Sequence, residues 1–336
     1  MERLRVGFIG CGRHATKALY PSLRYAPIDL MAVCDVDEGR AHRNARWFGA
    51  EDVFTDHRSM LAAGGLDAVI VVTGPTSHAA LATDVLDAGL PVFVEKPPAR
   101  DLAEAEVLAA TSARLGSSVN VGMMKRHAPA YVRLMHMIEE PTFGEVTHVA
   151  ATFRVGPKAS TAYAFLLDAG IHHLDLLRHL AGDYEVAAVE HRGGVDGLTC
   201  ALLLRFASGA LGSIHFSDRG SWLGPLESVE VTGSGRVARA DNLVRVSVTD
   251  GDGGETTWEP GFSVAQNDNN SFFIGGYVPE LQAWASALLE GHQPPTPIAD
   301  VLPALRLIEQ LEPERDYRKT VLDFPHWRDD DVWLRE

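Results

Sequence analysis

The chain has 336 residues and a formal net charge of −15, with 46% hydrophobic and 22% charged residues. This length is too great for one ordinary hydrophobic core and predicts two domains, while the composition is typical of a globular protein. Because the chain is acidic and no segment concentrates basic residues, we expect neither nucleic acid nor a membrane surface as a partner.

Residues 3–121 alternate short apolar runs with amphipathic segments. The runs are Leu4–Ile9, Leu30–Cys34, Ala68–Val72, Pro91–Val94 and Ser118–Val121, and helical patterns cover 37–48, 78–88 and 101–115. Apolar strands separated by helices predict a parallel sheet covered on both faces, as in a doubly wound (Rossmann) α/β fold. We predict such a domain, binding NAD or NADP, for residues 1–122.

The first strand runs into a glycine-rich turn, Gly10-Cys11-Gly12-Arg13-His14-Ala15, followed by a helix. In a dinucleotide-binding turn, Gly10 permits the tight bend, Gly12 lets the backbone approach a pyrophosphate, and the small Ala15 allows close helix packing. The start of the helix then offers free N–H groups to the phosphates. The predicted cofactor-binding residues of this turn are Gly10, Gly12, Arg13 and His14.

The second strand ends at Asp35, 20 positions after Ala15. A carboxylate there can accept both adenosine ribose hydroxyls and repels a 2′-phosphate, which favours NAD over NADP. Arg40, one turn further on, would soften that preference. The alternative is that Asp35 caps the helix that starts near Asp37.

The predicted strands Ala68–Val72 and Pro91–Val94 also end at the predicted cofactor crevice, because ligands bind at the carboxyl ends of parallel strands. After Val72, Thr73 and Pro75 are expected to border the ribose and nicotinamide, and His78 to lie near the cofactor.

The strand Pro91–Val94 is followed by Glu95 and Lys96, and then by two prolines. Beside a positively charged nicotinamide, the Lys96 ammonium would give up its proton easily. The alternative is that Lys96 is an exposed lysine paired with Glu95. We also place Glu95 at the cofactor site.

Residues 123–336 show a different pattern. Helices are predicted at 128–139, 168–181, 279–290 and 300–311, and strands at 145–155, 185–192, 198–206, 209–217, 226–232 and 243–249. Turn segments such as SGA and GSG separate the strands, which predicts an α+β domain with an open, mostly antiparallel sheet. The open face of such a sheet needs covering, so we expect a homo-oligomer, a dimer or tetramer.

The helix at 168–181 carries Asp168, His172 and Asp175 on one face. A histidine with a carboxylate one turn away is a competent proton acceptor. Metal binding with His173 as a further ligand is the first alternative, but His173 points about 100° away from His172, so we expect no metal. The second alternative makes Asp168 an N-cap and the histidines packed polar residues.

Four elements together resemble the Gfo/Idh/MocA oxidoreductases, which include inositol and glucose–fructose oxidoreductases. They are GCGRHA at 10–15, Asp35, EKP at 95–97 and the segment 168–175. The segment NVGMMKRHAP at 120–129 is similar to the family's entry into its second domain. The resemblance covers nearly the whole chain.

The resemblance implies roles for three residues. Lys96 would contact substrate hydroxyls and help proton transfer, and Asp168 and His172 would be its catalytic partners. His172 would act as the general base when an alcohol is oxidised. The implied substrate is a sugar, cyclitol or related polyol.

Lys125 and Arg126 follow the last strand of the first domain and could bind a hydroxylated or anionic substrate, or pair with surface acids. The family commonly has arginine at both positions followed by an aromatic residue, and Lys125 and His127 depart from this. Arg126 is therefore the predicted substrate-binding residue, together with Lys96, Asp168 and His172.

These observations predict an NAD-dependent dehydrogenase that acts on a polyhydroxylated substrate. The alternatives are an NAD-using redox-neutral enzyme of the lyase or glycosidase type, and a catalytically silent ligand sensor on the same fold. The three cysteines have no paired spacing, no signal peptide precedes the first strand, and no apolar run could span a bilayer, so we expect a cytoplasmic protein.

Overall fold

The computed structural model describes residues 2–156, 162–192, 198–221, 226–261 and 270–311. The chain divides into two compact units. The first comprises Met1–Met137, Leu243–Val246 and Thr257–Leu307, and the second comprises Ile138–Asn242, Ser247–Thr256 and Ile308–Glu336. The domain boundary expected after residue 122 stays a prediction.

The first unit is built on a six-stranded parallel sheet in the order β3-β2-β1-β4-β5-β6. Its strands are β1 (Leu4–Ile9), β2 (Ile28–Cys34), β3 (Asp52–Phe54), β4 (Ala68–Val71), β5 (Val92–Glu95) and β6 (Val119–Gly122). The order reverses between β1 and β4, which confirms the predicted doubly wound fold. In such sheets, ligands bind at the carboxyl ends of the strands where the order reverses.

Helices connect the strands of this sheet. They are α1 (Tyr20–Leu23), preceded by a π-helical turn at Ala15–Leu19, α2 (Glu38–Phe48), α3 (His57–Ala63), α4 (Pro75–Asp87), α5 (Leu102–Leu115) and α6 (Pro129–Glu139). Aspartates begin three of them: the side chains of Asp37, Asp56 and Asp101 each accept a backbone N–H of the first turn. Left-handed glycines, Gly49 and Gly116, end α2 and α5.

Three later helices are α9 (Asn270–Ile274), α10 (Tyr277–Leu289) and α11 (Ile298–Leu311). Helix α10 belongs to the core of the first unit, because Leu281, Trp284 and Ala285 are buried in the same apolar cluster as the residues of β1. The Trp284 ring meets the Phe93 ring edge-on at 5.5 Å.

The second sheet has eight strands in the order β14-β13-β12-β11-β7-β10-β9-β8. They are β7 (His148–Arg154), β8 (Tyr184–Arg192), β9 (Thr199–Phe206), β10 (Leu211–Ser217), β11 (Leu226–Thr232), β12 (Arg236–Asp241), β13 (Arg245–Asp250) and β14 (Glu255–Trp258). The pairs β8–β9, β9–β10, β7–β11 and β11–β12 are antiparallel, and β7–β10 is parallel. The predicted open, mostly antiparallel sheet is confirmed.

One face of this sheet is buried and the other is exposed. Along β9 the buried residues Cys200, Leu202, Leu204 and Phe206 alternate with more exposed ones, as a half-covered strand requires. On the buried side, helix α7 (Ala162–Phe165), a π-helical turn (Leu166–Gly170) and α8 (Ile171–Ala181) follow one another along the chain. Within the described residues, no helix has the length and hydropathy to cross a membrane.

Candidate active site

The glycine-rich turn at the end of β1 has two glycines with different requirements. Gly10 has φ +107°, and a Cβ there would overlap the carbonyl oxygen of Val72, so only glycine fits between the ends of β1 and β4. A Cβ on Gly12 would meet no heavy atom within 4 Å. The backbone at Gly12 therefore borders open space just before a helix, where a phosphate could approach the N–H groups.

Buried polar side chains hold this turn in place by hydrogen bonds to its backbone carbonyl groups. The Thr16 hydroxyl donates to the Cys11 carbonyl at 3.3 Å and accepts from the Asn44 amide at 2.9 Å. The Tyr20 hydroxyl lies 3.3 Å from the Gly10 carbonyl. The turn is thus held by residues of the π-helical turn, α1 and α2, which the sequence pattern alone does not reveal.

Cys11 lies within the turn but is not a reactive thiol. Burial raises the pKa of Cys11 to about 11, and its Sγ lies 3.3 Å from the Tyr20 hydroxyl.

Asp35, at the end of β2, accepts two backbone hydrogen bonds. Its Oδ2 accepts from the Cys11 N–H at 2.6 Å, and its Oδ1 accepts from the Asp37 N–H at 2.9 Å. Asp37, not Asp35, caps α2, since its Oδ1 accepts from the Arg40 N–H at 3.0 Å. The helix-cap interpretation of Asp35 is therefore wrong, and its carboxylate oxygens keep lone pairs for further donors.

The segment after β4 lies at the same edge of the sheet. Thr73 is exposed, and its hydroxyl lies 2.9 Å from the Ser77 hydroxyl. Pro75 is the first residue of α4, after Gly74. His78 is 1% exposed, and both of its ring nitrogens contact backbone atoms, so any contribution to cofactor binding would be indirect.

Glu95 is a buried carboxylate at the end of β5. Its Oε1 lies 3.4 Å from Nε2 of His14, and its Oε2 accepts the Lys96 N–H at 3.0 Å. Burial raises the pKa of Glu95, but the interaction with the His14 ring and the charge of Lys96 outweigh it, and the net shift is downward. A Cβ on the neighbouring Gly122 would lie 3.1 Å from the Glu95 carboxyl carbon, so a glycine in β6 leaves room for this group.

Lys96 follows Glu95 at the carboxyl end of β5 and is partly buried. The peptide bond between Lys96 and Pro97 is cis. The structure thus places the predicted residues Gly10, Gly12, His14, Asp35, Thr73 and Lys96 at one edge of one sheet. The pairing of His14 with Glu95 is the part that sequence reasoning missed.

A 3-10 turn at Met124–His127 follows β6 and carries the predicted substrate-binding cation. Arg126 is 8% exposed, and its Nη1 lies 3.4 Å from Oδ2 of Asp300 in α11. Lys125 is 4% exposed. Both cations are therefore buried rather than displayed on the surface.

In the second unit, Asp168 lies in the π-helical turn and His172 in the first turn of α8. Asp168 is partly exposed, and His172 is 8% exposed. The segment had been expected to be a regular α-helix from residue 168, and the π turn changes the spacing just before His172. Such turns occur frequently at functional sites.

His173 has a different environment from His172. It is fully buried, with ring centroids 4.5 Å from Phe153 and 6.4 Å from Phe216. Among the described residues, no group of three or more histidine, cysteine, aspartate or glutamate side chains could hold a metal ion. His173 is thus part of the aromatic core beneath the sheet.

Two segments of the chain match known protein families, and the whole chain is similar to known dehydrogenases. Residues 4–123 match an oxidoreductase family with an NAD-binding Rossmann fold, and residues 131–239 match the GFO/IDH/MocA C-terminal domain. The chain is 30% identical over 318 residues to inositol 2-dehydrogenase 4 of Saccharopolyspora erythraea, covering 86% of this chain and 87% of that one. It is 28% identical over 327 residues to D-apiose dehydrogenase of Paraburkholderia graminis, covering 92% and 87%.

A similar solved structure is that of a dehydrogenase from Chromobacterium violaceum. The TM-score is 0.82 at 26% identity, and the match covers 92% of this chain and 94% of that one.

Proposed function

The chain belongs to the Gfo/Idh/MocA oxidoreductase family, and on that premise we propose that it is an NAD-dependent dehydrogenase of a sugar, cyclitol or related polyol. The single observation that carries this proposal is the edge of the parallel sheet where Gly12, Asp35 and Lys96 follow three strand ends. A site of this kind needs a phosphate-binding turn, a ribose-binding carboxylate and a proton-transferring group, and these residues supply one of each.

The residues present fit NAD. A Cβ at Gly12 would reach into the open space proposed for the pyrophosphate, and a helical segment begins just after this glycine. Asp35 would accept the ribose hydroxyls and would repel the 2′-phosphate of NADP. Arg13, His14, Thr73, Pro75 and Glu95 complete the proposed cofactor site, and bound NAD would accept the hydride at its nicotinamide ring.

We assign the proton path to Lys96, Asp168 and His172. When the substrate alcohol is oxidised, His172 would take its hydroxyl proton, and the proposed cofactor would supply the hydride acceptor. Asp168 would stabilise the imidazolium that forms, and Lys96 would hold the reacting oxygen. This assignment rests on the match of EKP and of Asp168–His172 to the family pattern.

The substrate class is supported by the relatives, which are named as dehydrogenases of inositol and of D-apiose. Arg126 is the proposed further contact to substrate. It is buried and lies close to Asp300, so its guanidinium has a fixed position from which to donate to hydroxyl groups.

The test is a substrate screen. Purified protein is mixed with NAD and a panel of cyclitols, aldoses and sugar acids, and the absorbance of NADH is followed. We expect a signal with at least one polyol, a weaker one with NADP, and a loss of about 100- to 10,000-fold in turnover for Lys96→Ala.

Lys17→Ala is the matched control, because Lys17 is exposed and we assign it no role in the reaction. Silence across the panel despite binding of NAD would contradict the dehydrogenase proposal. Product formation without net NADH would identify a redox-neutral enzyme, and ligand binding without any product would identify a sensor.

We further propose that the protein is cytoplasmic and forms a homo-oligomer through the exposed face of the second sheet. All three cysteines are free and buried, which suits a reducing compartment. Exposed apolar residues on β9 and β10 support the second part: Leu203 and Leu211 are 55% and 57% exposed on the same face.

A further inference from the structure

His78 is a buried residue to which the proposed mechanism gives no role. It lies in the first turns of α4 and is 1% exposed. Its Nε2 accepts the backbone N–H of Thr73 at 3.0 Å, and its Nδ1 lies 2.8 Å from the carbonyl oxygen of Pro97. One imidazole ring therefore joins the segment after β4 to the segment after β5.

These two contacts define the tautomer of the ring. The Thr73 N–H is a donor, so Nε2 must be unprotonated, and a carbonyl oxygen only accepts, so Nδ1 must carry the proton. Burial lowers the pKa of His78, and the bond to Pro97 and the charge of Glu95 oppose this without reversing it. A neutral ring with its proton on Nδ1 is the only form that satisfies both contacts.

Both contacts reach residues beside the proposed reaction centre. Pro97 follows Lys96 directly, and Thr73 is a proposed cofactor contact. On the other side of Lys96, its own N–H is bound by the Glu95 carboxylate, which His14 approaches at 3.4 Å. The backbone around Lys96 is thus held at two points, by Glu95 before it and by His78 after it.

We propose that His78 is a positioning residue with two separable effects. Its Nδ1–H bond to Pro97 fixes the backbone that aims Lys96, and its Nε2 bond to Thr73 fixes the strand end that borders the cofactor. The inference rests on the proposed function, because the position of Lys96 affects turnover only if Lys96 takes part in the reaction. It predicts that the two hydrogen bonds contribute to different kinetic parameters.

Two substitutions separate these bonds. In His78→Asn the amide nitrogen can take the place of Nδ1, which keeps the donor to Pro97 and loses the acceptor for Thr73. In His78→Gln the amide oxygen can take the place of Nε2, which keeps the acceptor and loses the donor.

We expect His78→Gln to lower kcat by about 10- to 100-fold with little change in the KM for NAD, because a misplaced catalytic group costs that much. We expect His78→Asn to keep kcat and to raise the Kd for NADH, followed by fluorescence, by about tenfold. Equal losses in kcat and in cofactor affinity in both variants would indicate a merely structural role and would overturn the proposal.

A second readout works without any substrate. Lysines are reductively methylated with ¹³C-formaldehyde, and the Lys96 resonance is identified by its loss in Lys96→Arg. We expect this resonance to move in His78→Gln and to stay in place in His78→Asn. Wild-type protein that oxidises no polyol would contradict the proposed function, whereas a Lys96 resonance that is the same in wild type and in His78→Gln would contradict the role of His78.

Discussion

Among single residues, Gly10 and Gly12 make the sharpest contrast in the proposed cofactor site. Gly10 has φ +107° and no room for a Cβ, whereas a Cβ on Gly12 meets nothing in the protein itself. We therefore expect Gly10→Ala to lower the free energy of unfolding by more than about 2 kcal/mol even without cofactor. Gly12→Ala should stay within about 0.5 kcal/mol of wild type yet bind NAD at least about tenfold more weakly.

Chemical denaturation without cofactor and titration with NADH measure the two effects separately. If Gly12→Ala bound NADH as tightly as wild type does, the pyrophosphate would not approach the backbone at this glycine.

Asp35 supports a second prediction, because it organises the glycine-rich turn in addition to its proposed role in binding the ribose. Its Oδ2 accepts the Cys11 N–H at 2.6 Å. Asp35→Ala should therefore weaken NADH binding by about 10- to 100-fold without producing tight NADPH binding, since the turn itself loses a charge-assisted hydrogen bond. Fluorescence titration with both nucleotides measures this.

Asp37→Ala is the matched control, because Asp37 caps α2. Loss of the cap should cost about 1 kcal/mol of stability and leave the affinity for NADH unchanged. A variant of Asp35 that bound NADPH tightly would show that its carboxylate acts only by repelling phosphate.

The sequence predicts some of these residues and not others, for a physical reason. Gly10, Gly12 and Asp35 are recognisable because their roles follow from local backbone geometry and fixed spacing along one βα unit. The contact of His14 with Glu95, and those of His78 with Thr73 and Pro97, depend on which strand ends lie side by side. That is a property of the sheet order, and no local pattern contains it.

At the scale of one element, α8 carries two adjacent histidines in different surroundings. His173 is fully buried against Phe153 and Phe216, whereas His172 is 8% exposed. His173→Ala removes an aromatic ring from the core and should lower the free energy of unfolding by about 3 kcal/mol with little change in kcat. His172→Ala should lower turnover by about 100- to 10,000-fold at a smaller cost in stability.

Denaturant unfolding and steady-state kinetics on the two variants test this assignment. A loss of turnover in His173→Ala alone would identify His173, and not His172, as the base.

The elements themselves were predictable where an apolar run was long enough. The strands β1, β2, β4, β5 and β6 correspond to predicted runs, because a buried parallel strand is apolar throughout. The strand β3 was missed, since it has only three residues and none of them is fully buried. The π turns were also missed. One extra residue in a helical turn changes the direction in which the side chains point, but it requires no particular amino-acid composition that a sequence pattern could detect.

For the whole molecule, the alternation of strands and helices was enough to predict a doubly wound sheet, and the turn signals between later strands were enough to predict a second, mostly antiparallel one. It was not enough to predict that helix α10, far along the chain, supplies Trp284 to the core of the first unit. An apolar stripe on a helix indicates that another element must cover it, but which element does so depends on packing across the whole fold.

The exposed face of the second sheet carries the last prediction. Leu203 and Leu211 are 55% and 57% exposed on neighbouring strands, and in the register of β9 with β10 Leu203 lies opposite Ser213, two residues from Leu211. A second copy of the chain could cover this apolar patch, which is costly to leave in water. We therefore expect light scattering to give a molar mass that is a multiple of the 36.4 kDa chain mass. In the double variant Leu203→Glu, Leu211→Glu, the measured mass should fall toward that of one chain. Val107→Glu, at a still more exposed apolar site on α5, should leave the mass unchanged, and a monomeric wild type would contradict the proposed oligomer.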